Sequence, residues 1–158
     1  DVNLSLKSNA GSVNILKDVK LDFKAGKTVR LTGPSGSGKS SLLMVMGGLQ
    51  RARFGSVRAL GHDLSDMSED ALSRFRRSHM GIVFQSFHLI PTMTAVENVA
   101  TPLELAGAKN AMHIARAELA TVGLRDRADH YPAQLSGGEQ QRVALARAST
   151  ARPDIGDA

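Results

Sequence analysis

The sequence GPSGSGKS at residues 33–40 decides the expected fold. It follows a short predicted strand at 28–31, and helical character begins at Lys39. Glycines at three of its positions let the backbone turn tightly and aim its N–H groups inward, at an anion of phosphate size. The positive end of the following helix would add to that attraction. A glycine- and serine-rich turn without a ligand is the alternative, but the flanking strand and helix favour phosphate binding.

The spacing of this loop fits the P-loop pattern, because Gly33 and Gly38 enclose four residues and are followed by Lys and Ser. Lys39 would place its charge on the β and γ phosphates of a nucleotide. The hydroxyl of Ser40 would bind the Mg²⁺ that bridges these phosphates. Kinases, GTPases and transport ATPases all use such a loop, so it predicts nucleotide binding without naming the reaction.

A second glycine-rich segment, LSGGEQQR at residues 135–142, has the pattern of a helix start. Ser136 is a good N-cap, and Glu139 stands three residues later, where it closes a capping box. Gly137 and Gly138 would leave backbone N–H groups uncovered, so this is a second helix N-terminus able to accept an anion. By itself the signal is weak, because a glycine-rich helix cap without a ligand is common.

The order of predicted elements is strands, loop, helix, strands and then mostly helices, which indicates an α/β fold. Strands are predicted at 2–6, 13–23, 28–31, 55–60 and 81–84. Helices are predicted at 39–49, 68–79, from Thr94 onward, at 110–122 with Gly123 as the stop, and at 140–151. We interpret residues 1–158 as a single domain with a helical subdomain inserted at about 86–134.

Composition narrows the class of protein further. The 158 residues are 42% hydrophobic and contain no cysteine, which excludes disulfides and thiolate metal sites. The formal net charge is +5, but Lys and Arg are spread along the chain; the one cluster, at 74–77, fits a solvated helix face better than a nucleic-acid surface. No apolar run approaches the ~20 residues of a membrane-spanning helix, and no signal peptide is recognisable.

Residues 135–142 resemble the signature motif of ABC ATPases at every position, about a hundred residues after the P-loop, as in that family. Gln85, which follows the predicted strand 81–84, resembles the glutamine of the family's Q-loop. The segment 84–99 is similar to the branch that serves lipoprotein release and macrolide export from the inner membrane. The resemblance covers residues 1–154 and implies a P-loop NTPase core of the ABC ATPase type with a helical insertion.

The resemblance also implies a partner and a division of roles. Two such subunits pair head to tail, each ATP lying between the P-loop of one and the signature of the other. Lys39 and Gln85 would act catalytically, with Ser40 and Gln85 serving Mg²⁺. The residues expected to bind ATP are Gly33, Pro34, Ser35, Gly36, Ser37, Gly38, Lys39, Ser40 and Ser41 in one subunit, with Ser136, Gly137 and Gly138 from the other. An integral-membrane permease would hold the pair at the cytoplasmic face of the inner membrane.

The sequence departs from the family pattern at the residues for ATP hydrolysis and at those that contact adenine. ABC ATPases follow a segment like 152–155 with an apolar strand ending in Asp-Glu, where the glutamate is the general base, but here the chain reads Gly156-Asp157-Ala158. We therefore expect the fold with its C-terminal part missing and little ATP hydrolysis by this chain. Residues 7–13 carry no aromatic side chain to stack on adenine, and Val13 is the candidate substitute. Residues 148–150, Ala-Ser-Thr, replace a more usual apolar helix end.

The sequence leaves three other hypotheses open. The chain could be a non-catalytic ATP-binding remnant. It could be a soluble ABC-type ATPase acting on nucleic acid, which the basic composition favours slightly; salt-sensitive binding would support this. A simple P-loop kinase fits the loop but not the signature. The leading prediction is an ATPase subunit that couples ATP binding and hydrolysis to an inner-membrane ABC permease or exporter; nucleic acid is not an expected partner.

Overall fold

A computed structural model describes residues 2–8, 11–24 and 26–150 of the chain. The chain forms two compact units, Asp1–Leu72 and Ser73–Ala158. The division runs through helix α2, which spans Glu69–His79. The predicted subdomain at 86–134 stays a prediction.

The first unit builds its core from a hairpin and one helix. Strand β1 (Val2–Ser8) pairs antiparallel with β2 (Gly11–Val19), and helix α1 (Lys39–Met46) packs on them. The buried residues of this core are Leu4, Leu16, Leu42 and Val45. Two-residue strands β3 (Arg58–Ala59) and β4 (His62–Asp63) form a second hairpin. Burial of Leu42 and Val45 on one side of α1 fixes the helix to β2 and so fixes where the glycine-rich loop ends.

Among the described residues of the second unit, three helices surround one apolar core. They are α3 (Ala95–Leu105), α4 (Ala111–Thr121) and α5 (Gly137–Ser149), with 3₁₀ turns at Arg125–Arg127 and Pro132–Gln134. Their buried residues include Val96, Val99, Leu119, Leu124 and Val143, each at most 1% exposed. Each large aliphatic side chain buried this way stabilises the unit by about 1.5–3 kcal/mol relative to exposure.

The predicted helices are confirmed, although the one predicted at 39–49 ends at Met46 and the one predicted at 140–151 already begins at Gly137. Thr94 and Glu97 form the capping box that starts α3, and Gly123, at φ 73°, ends the helix that follows Asn110. After α4 the N–H of Leu124 donates to the carbonyl of Leu119, which is the hydrogen bond of a Schellman ending. Asn110 occupies the N-cap position of α4, but its side chain makes no capping hydrogen bond.

Several strand predictions were wrong or too long. Within the described residues, no strand is assigned at 28–31 or 81–84, and Val83 is 42% exposed rather than buried. A stretch of strand-like sequence becomes a strand only where a neighbouring backbone completes its ladder, and the described sheets hold only β1 with β2 and β3 with β4. The strand predicted at 13–23 ends at Val19. The strand predicted at 55–60 ends before Leu60, which forms a turn with Gly61; both residues have positive φ.

No helix in the described part of the chain is long and apolar enough to span a membrane.

Candidate functional site

The glycine-rich loop at 33–40 connects residues 28–31 to helix α1 in the first unit. Gly36 and Gly38 have φ of 79° and 84°, in the left-handed region that L side chains rarely adopt. A Cβ at position 38 would lie 3.0 Å from Cγ2 of Ile15 and 3.2 Å from its carbonyl oxygen. Glycine at 38 therefore lets the loop turn into α1 while lying directly on β2.

The ammonium group of Lys39 lies over this loop. Its Nζ donates to the carbonyl oxygens of Gly33 at 2.8 Å and Pro34 at 2.6 Å, and to Oγ of Ser37 at 3.3 Å. A lysine ammonium has three protons to donate, and all three have an acceptor here. The positive charge is thus held at the loop that the sequence predicts to bind phosphate.

The N-terminus of α1 is open to an anion. Gly38 is its N-cap and offers no side-chain acceptor, and the first turn contains no acidic residue. Among the described residues, no acceptor pairs with the backbone N–H groups of Lys39, Ser40 and Ser41. The hydroxyl-bearing side chain of Ser40 is exposed beside them. Open N–H groups, a lysine and a hydroxyl are the donors and ligand that a phosphate with its Mg²⁺ needs, so the residues present fit both.

The second unit carries the other predicted anion site at the start of α5. Ser136 and Glu139 form the predicted capping box: the N–H and Oγ of Ser136 both donate to Oε2 of Glu139 at 2.8 Å. The N–H groups of Gly137 and Gly138 have no acceptor within the described residues, and both glycines are exposed. The capping box therefore satisfies two of the backbone donors at this helix start and leaves two open.

Comparison with known proteins decides the family. A sequence profile described as ABC transporter matches residues 16–156. The chain belongs to the ABC transporter family. It is 49% identical over 156 residues to the uncharacterized ABC transporter ATP-binding protein YbbA of Escherichia coli (strain K12), covering 95% of this chain and 68% of YbbA. It is 43% identical over 150 residues to the macrolide export ATP-binding/permease protein MacB of the same strain, covering 94% of this chain and 23% of MacB.

A solved structure of the family confirms the predicted α/β fold. The ATP-binding cassette MJ0796, in a dimeric post-hydrolysis state bound to ADP and Pi, matches with a TM-score of 0.87 and 40% identity. The match covers 93% of this chain and 66% of that chain. The chain is thus an ABC ATP-binding cassette, similar to the ATPase subunits of transporters, and it spans about two thirds of the length of YbbA and of MJ0796. The family's domain binds ATP, typically with Mg²⁺.

Helix α5 begins with the predicted signature residues and is called the signature helix below; an arginine and an amide side chain brace its start. Arg127 donates from Nε to Oε1 of Glu139 at 3.2 Å. Nε2 of Gln140 donates to the carbonyls of Pro132 at 2.9 Å and Leu135 at 3.1 Å. The pKa of Glu139 is lowered from 4.5 to about 2. The hydrogen bonds from the N–H and the hydroxyl of Ser136 contribute most, and the interaction with Arg127 adds to them. The carboxylate at this helix start therefore stays ionised and paired at neutral pH.

Gln85, the predicted Q-loop residue, is exposed and begins a tight turn in the second unit. The N–H of Phe87 donates to the carbonyl of Phe84 at 3.0 Å, and that of His88 donates to the carbonyl of Ser86 at 2.6 Å. Phe87 and His88 both have positive φ, at 58° and 47°. The sequence predicted a strand end here and gave no sign of this turn.

Asn98 lies within the segment 84–99, but it was not among the residues predicted to be functional. It is 1% exposed in α3, and its Oδ1 accepts from the N–H of Ile90 at 2.7 Å. Its Nδ2 donates to the carbonyls of Ile90 at 3.1 Å, Met93 at 3.0 Å and Thr94 at 3.0 Å. A polar residue on a helix face shared with Ala95 and Val99 was the available signal, because buried amides need partners.

The structure places the predicted site residues in two groups. The loop 33–41 belongs to the first unit, and Gln85 belongs to the second unit together with Ser136, Gly137 and Gly138. Their individual roles stay predictions. The side chain of Val13, the suggested adenine contact, lies outside what the structure describes, as do residues 151–158.

Proposed function

We propose that this chain binds Mg-ATP at residues 33–41 and pairs head to tail with a second copy, as the energy-coupling ATPase subunit of an ABC permease or exporter. The observation that carries the proposal is the helix start at Gly38. It has no side-chain cap and no acid in the first turn, and the Lys39 ammonium is bonded to the Gly33 and Pro34 carbonyls of the loop that leads into it. A helix start of this kind favours a bound anion over solvent.

Each residue of the loop has a distinct part in this proposal. The backbone N–H groups of the loop and of Ser41 would hold the phosphates, and Lys39 would exchange its carbonyl acceptors for β- and γ-phosphate oxygens. Ser40 and Gln85 would hold Mg²⁺, which neutralises phosphate charge when bound. Gln85 would also orient the attacking water.

The signature helix would act on the ATP of the other copy. Ser136, Gly137 and Gly138 would donate to its γ phosphate, using the open N–H groups at the start of α5. Dimer formation would then depend on ATP, because the nucleotide would complete the contact between two copies.

The coupling to a membrane permease rests on the relatives. YbbA is named an ABC transporter ATP-binding protein, and MacB is named an ATP-binding/permease protein. We infer that the chain works at the cytoplasmic face of the inner membrane, bound to such a permease.

A mixing experiment tests the head-to-tail site without requiring hydrolysis. Lys39→Met would remove the charge from one loop, and Gly137→Asp would place a carboxylate at the signature. Position 137 has open space, and an acid in the first turn of α5 suits the helix dipole, so this second variant should fold. Each variant alone should stay monomeric in Mg-ATP by sedimentation. Their mixture should form dimers, because one composite site would combine an intact loop with an intact signature.

The mixing experiment has a lysine control and defined results that would contradict it. Lys109→Met, an exposed lysine outside the loop, should dimerise with ATP like the parent chain. If the mixture stays monomeric while the parent chain dimerises, the loop and the signature do not meet across two copies. A parent chain that fails to bind Mg-ATP would refute the proposal altogether. Phosphate release at a family-typical rate would refute only the expectation of poor hydrolysis.

A further inference from the structure

The last turn of α5 contacts the segment that carries Gln85. A Cβ on Gly81 would overlap the backbone carbonyl of Ala148, so only a glycine allows the two backbones to lie this close. Six residues after Gly81, the chain meets the same turn of α5 again, through Arg147. Segment 81–88 is therefore fastened to the end of the signature helix at two separate points.

Arg147 makes the second of these contacts with both arms of its guanidinium. Nη2 donates to the carbonyl of Phe87 at 2.7 Å, and Nη1 donates to the carbonyl of His88 at 2.8 Å. The side chain is half-buried, and burial lowers the pKa of Arg147. Among the described residues, no carboxylate pairs with it. A guanidinium placed on two carbonyls rather than on an acid acts as a geometric clamp, since its planar fork fixes both acceptors at once.

The clamped turn has an unfavourable backbone. Phe87 and His88 are consecutive left-handed residues, and a bulky side chain such as that of Phe87 rarely adopts this conformation. The ring of His88 stacks on the ring of Phe84, with centroids 4.9 Å apart, and this contact joins the two ends of the turn. Such a conformation persists only where surrounding contacts impose it, and the two hydrogen bonds from Arg147 are contacts of that kind.

We propose that Arg147 is a positioning residue, whose clamp on Phe87 and His88 fixes Gln85 relative to the helix that begins with Ser136, Gly137 and Gly138. Arg147 lies about 16 Å along α5 from Ser136 by helix rise. The helix is one rigid element, so it carries the signature at one end and the Gln85 turn at the other. The proposal rests on the proposed function for the roles of Gln85 and the signature, but the clamp is testable without nucleotide.

Amide hydrogen exchange, resolved by residue, tests the clamp in the 158-residue chain. Arg147→Lys keeps the charge and loses the fork. The N–H groups of Phe87 and His88 should then exchange about tenfold faster, the effect of losing one ordinary hydrogen bond. The N–H of Ile90 should be unchanged, because Asn98 holds it independently at 2.7 Å. Adding Phe87→Gly to Arg147→Lys should restore protection, since glycine adopts the left-handed conformation without help.

Arg116→Lys is the matched control, because Arg116 makes a two-armed contact to Asp129 elsewhere in the same unit. Faster exchange at Phe87 and His88 in Arg147→Lys alone supports the clamp. The clamp would be overturned if Phe87 and His88 exchanged at the same rate in Arg147→Lys as in Arg116→Lys. It would also be overturned if Arg147→Lys lost protection equally at Ile90 and throughout the unit.

The link to Gln85 has its own readout. Mg²⁺ should raise the ATP affinity of the parent chain, and this gain should be smaller in Arg147→Lys and in Gln85→Ala. Combining Arg147→Lys with Gln85→Ala should not reduce the gain any further. Affinity measured in EDTA should not change. A full Mg²⁺ effect in Arg147→Lys would overturn this part. If the parent chain binds no ATP, the proposed function fails, whereas the exchange result still decides the clamp.

Discussion

Ser136 and Glu139 satisfy each other at the start of α5: the Ser136 hydroxyl donates to Oε2 of Glu139 at 2.8 Å, and the N–H of Glu139 donates back to Oγ at 3.3 Å. The pair occupies the donors at the edge of the helix start and leaves those of Gly137 and Gly138 available. The carboxylate that could repel a phosphate there is neutralised by Arg127, at 3.2 Å. The capping box thus shapes the candidate γ-phosphate contact as well as the helix.

The first prediction is that Glu139→Gln removes an acid-sensitive part of the stability. The pKa of Glu139 lies near 2 in the folded chain, against 4.5 for an unperturbed glutamate. A lowered pKa stabilises the fold above about pH 4.5, and this contribution is lost as the pH falls toward 2. The parent chain should therefore unfold at a higher temperature than Glu139→Gln at pH 7, and the difference should shrink below pH 4.5.

Thermal unfolding monitored by circular dichroism between pH 7 and pH 3 measures this difference. Glu104→Gln removes an exposed carboxylate from α3 and provides the baseline. A gap between the parent chain and Glu139→Gln that does not change with pH would show that the capping box contributes no ionisation-linked stability.

The features that could be predicted from sequence are local. A capping box joins residues three apart, and a glycine that ends a helix acts on the turn just before it, so Thr94, Glu97, Ser136 and Gly123 were all identifiable. The P-loop is local in the same sense, because the conformations of its glycines and the helix after them are set within a few residues.

The features that sequence did not reveal depend on distant partners. Arg147 meets Phe87 across 60 residues of chain, and no periodicity marks an arginine as a partner for two carbonyls. The runs at 28–31 and 81–84 have strand composition, but a strand exists only when a neighbour pairs with it. Asn98 was visible as a polar residue on an apolar face, whereas the carbonyls that it binds were not.

The second prediction separates two costs at the glycines of the loop. Gly36→Ala should lower the unfolding free energy by about 1–2 kcal/mol, the cost of a left-handed alanine, because nothing lies within 4 Å of its new Cβ. Gly38→Ala carries the same cost and also presses on Ile15 and Leu16, at 3.0 and 3.3 Å. Gly38→Ala should therefore lower the unfolding free energy by about 1–3 kcal/mol more than Gly36→Ala does.

Urea unfolding of the two variants, followed by circular dichroism, gives the comparison. The two substitutions match in residue type and in backbone region, so they differ chiefly in the space around the Cβ. Equal losses would mean that the start of α1 does not lie tightly on β2.

The third prediction concerns charge and binding at Lys39. Lys39→Met should weaken Mg-ATP binding by about 2–5 kcal/mol, because the phosphates would lose a charged partner. The unfolding free energy should fall by only about 1 kcal/mol, because the hydrogen bonds to Gly33 and Pro34 are exposed to water. Isothermal titration with ATP and urea unfolding measure the two effects. Lys109→Met should alter neither, and an equal loss of affinity there would exclude a specific role for Lys39.

The fourth prediction is that Asn98→Asp destabilises the second unit at neutral pH and recovers in acid. The substitution keeps the shape, but it turns an oxygen toward the carbonyls of Ile90, Met93 and Thr94, which the amide group now bonds at 3.0–3.1 Å. An uncompensated buried charge of this kind costs about 3–5 kcal/mol. Protonation restores a donor, so the loss in urea unfolding should diminish as the pH falls. Asn110→Asp, at the exposed N-cap of α4, should be neutral or stabilising. A loss at Asn98→Asp no larger than that control would show that the buried amide network is dispensable.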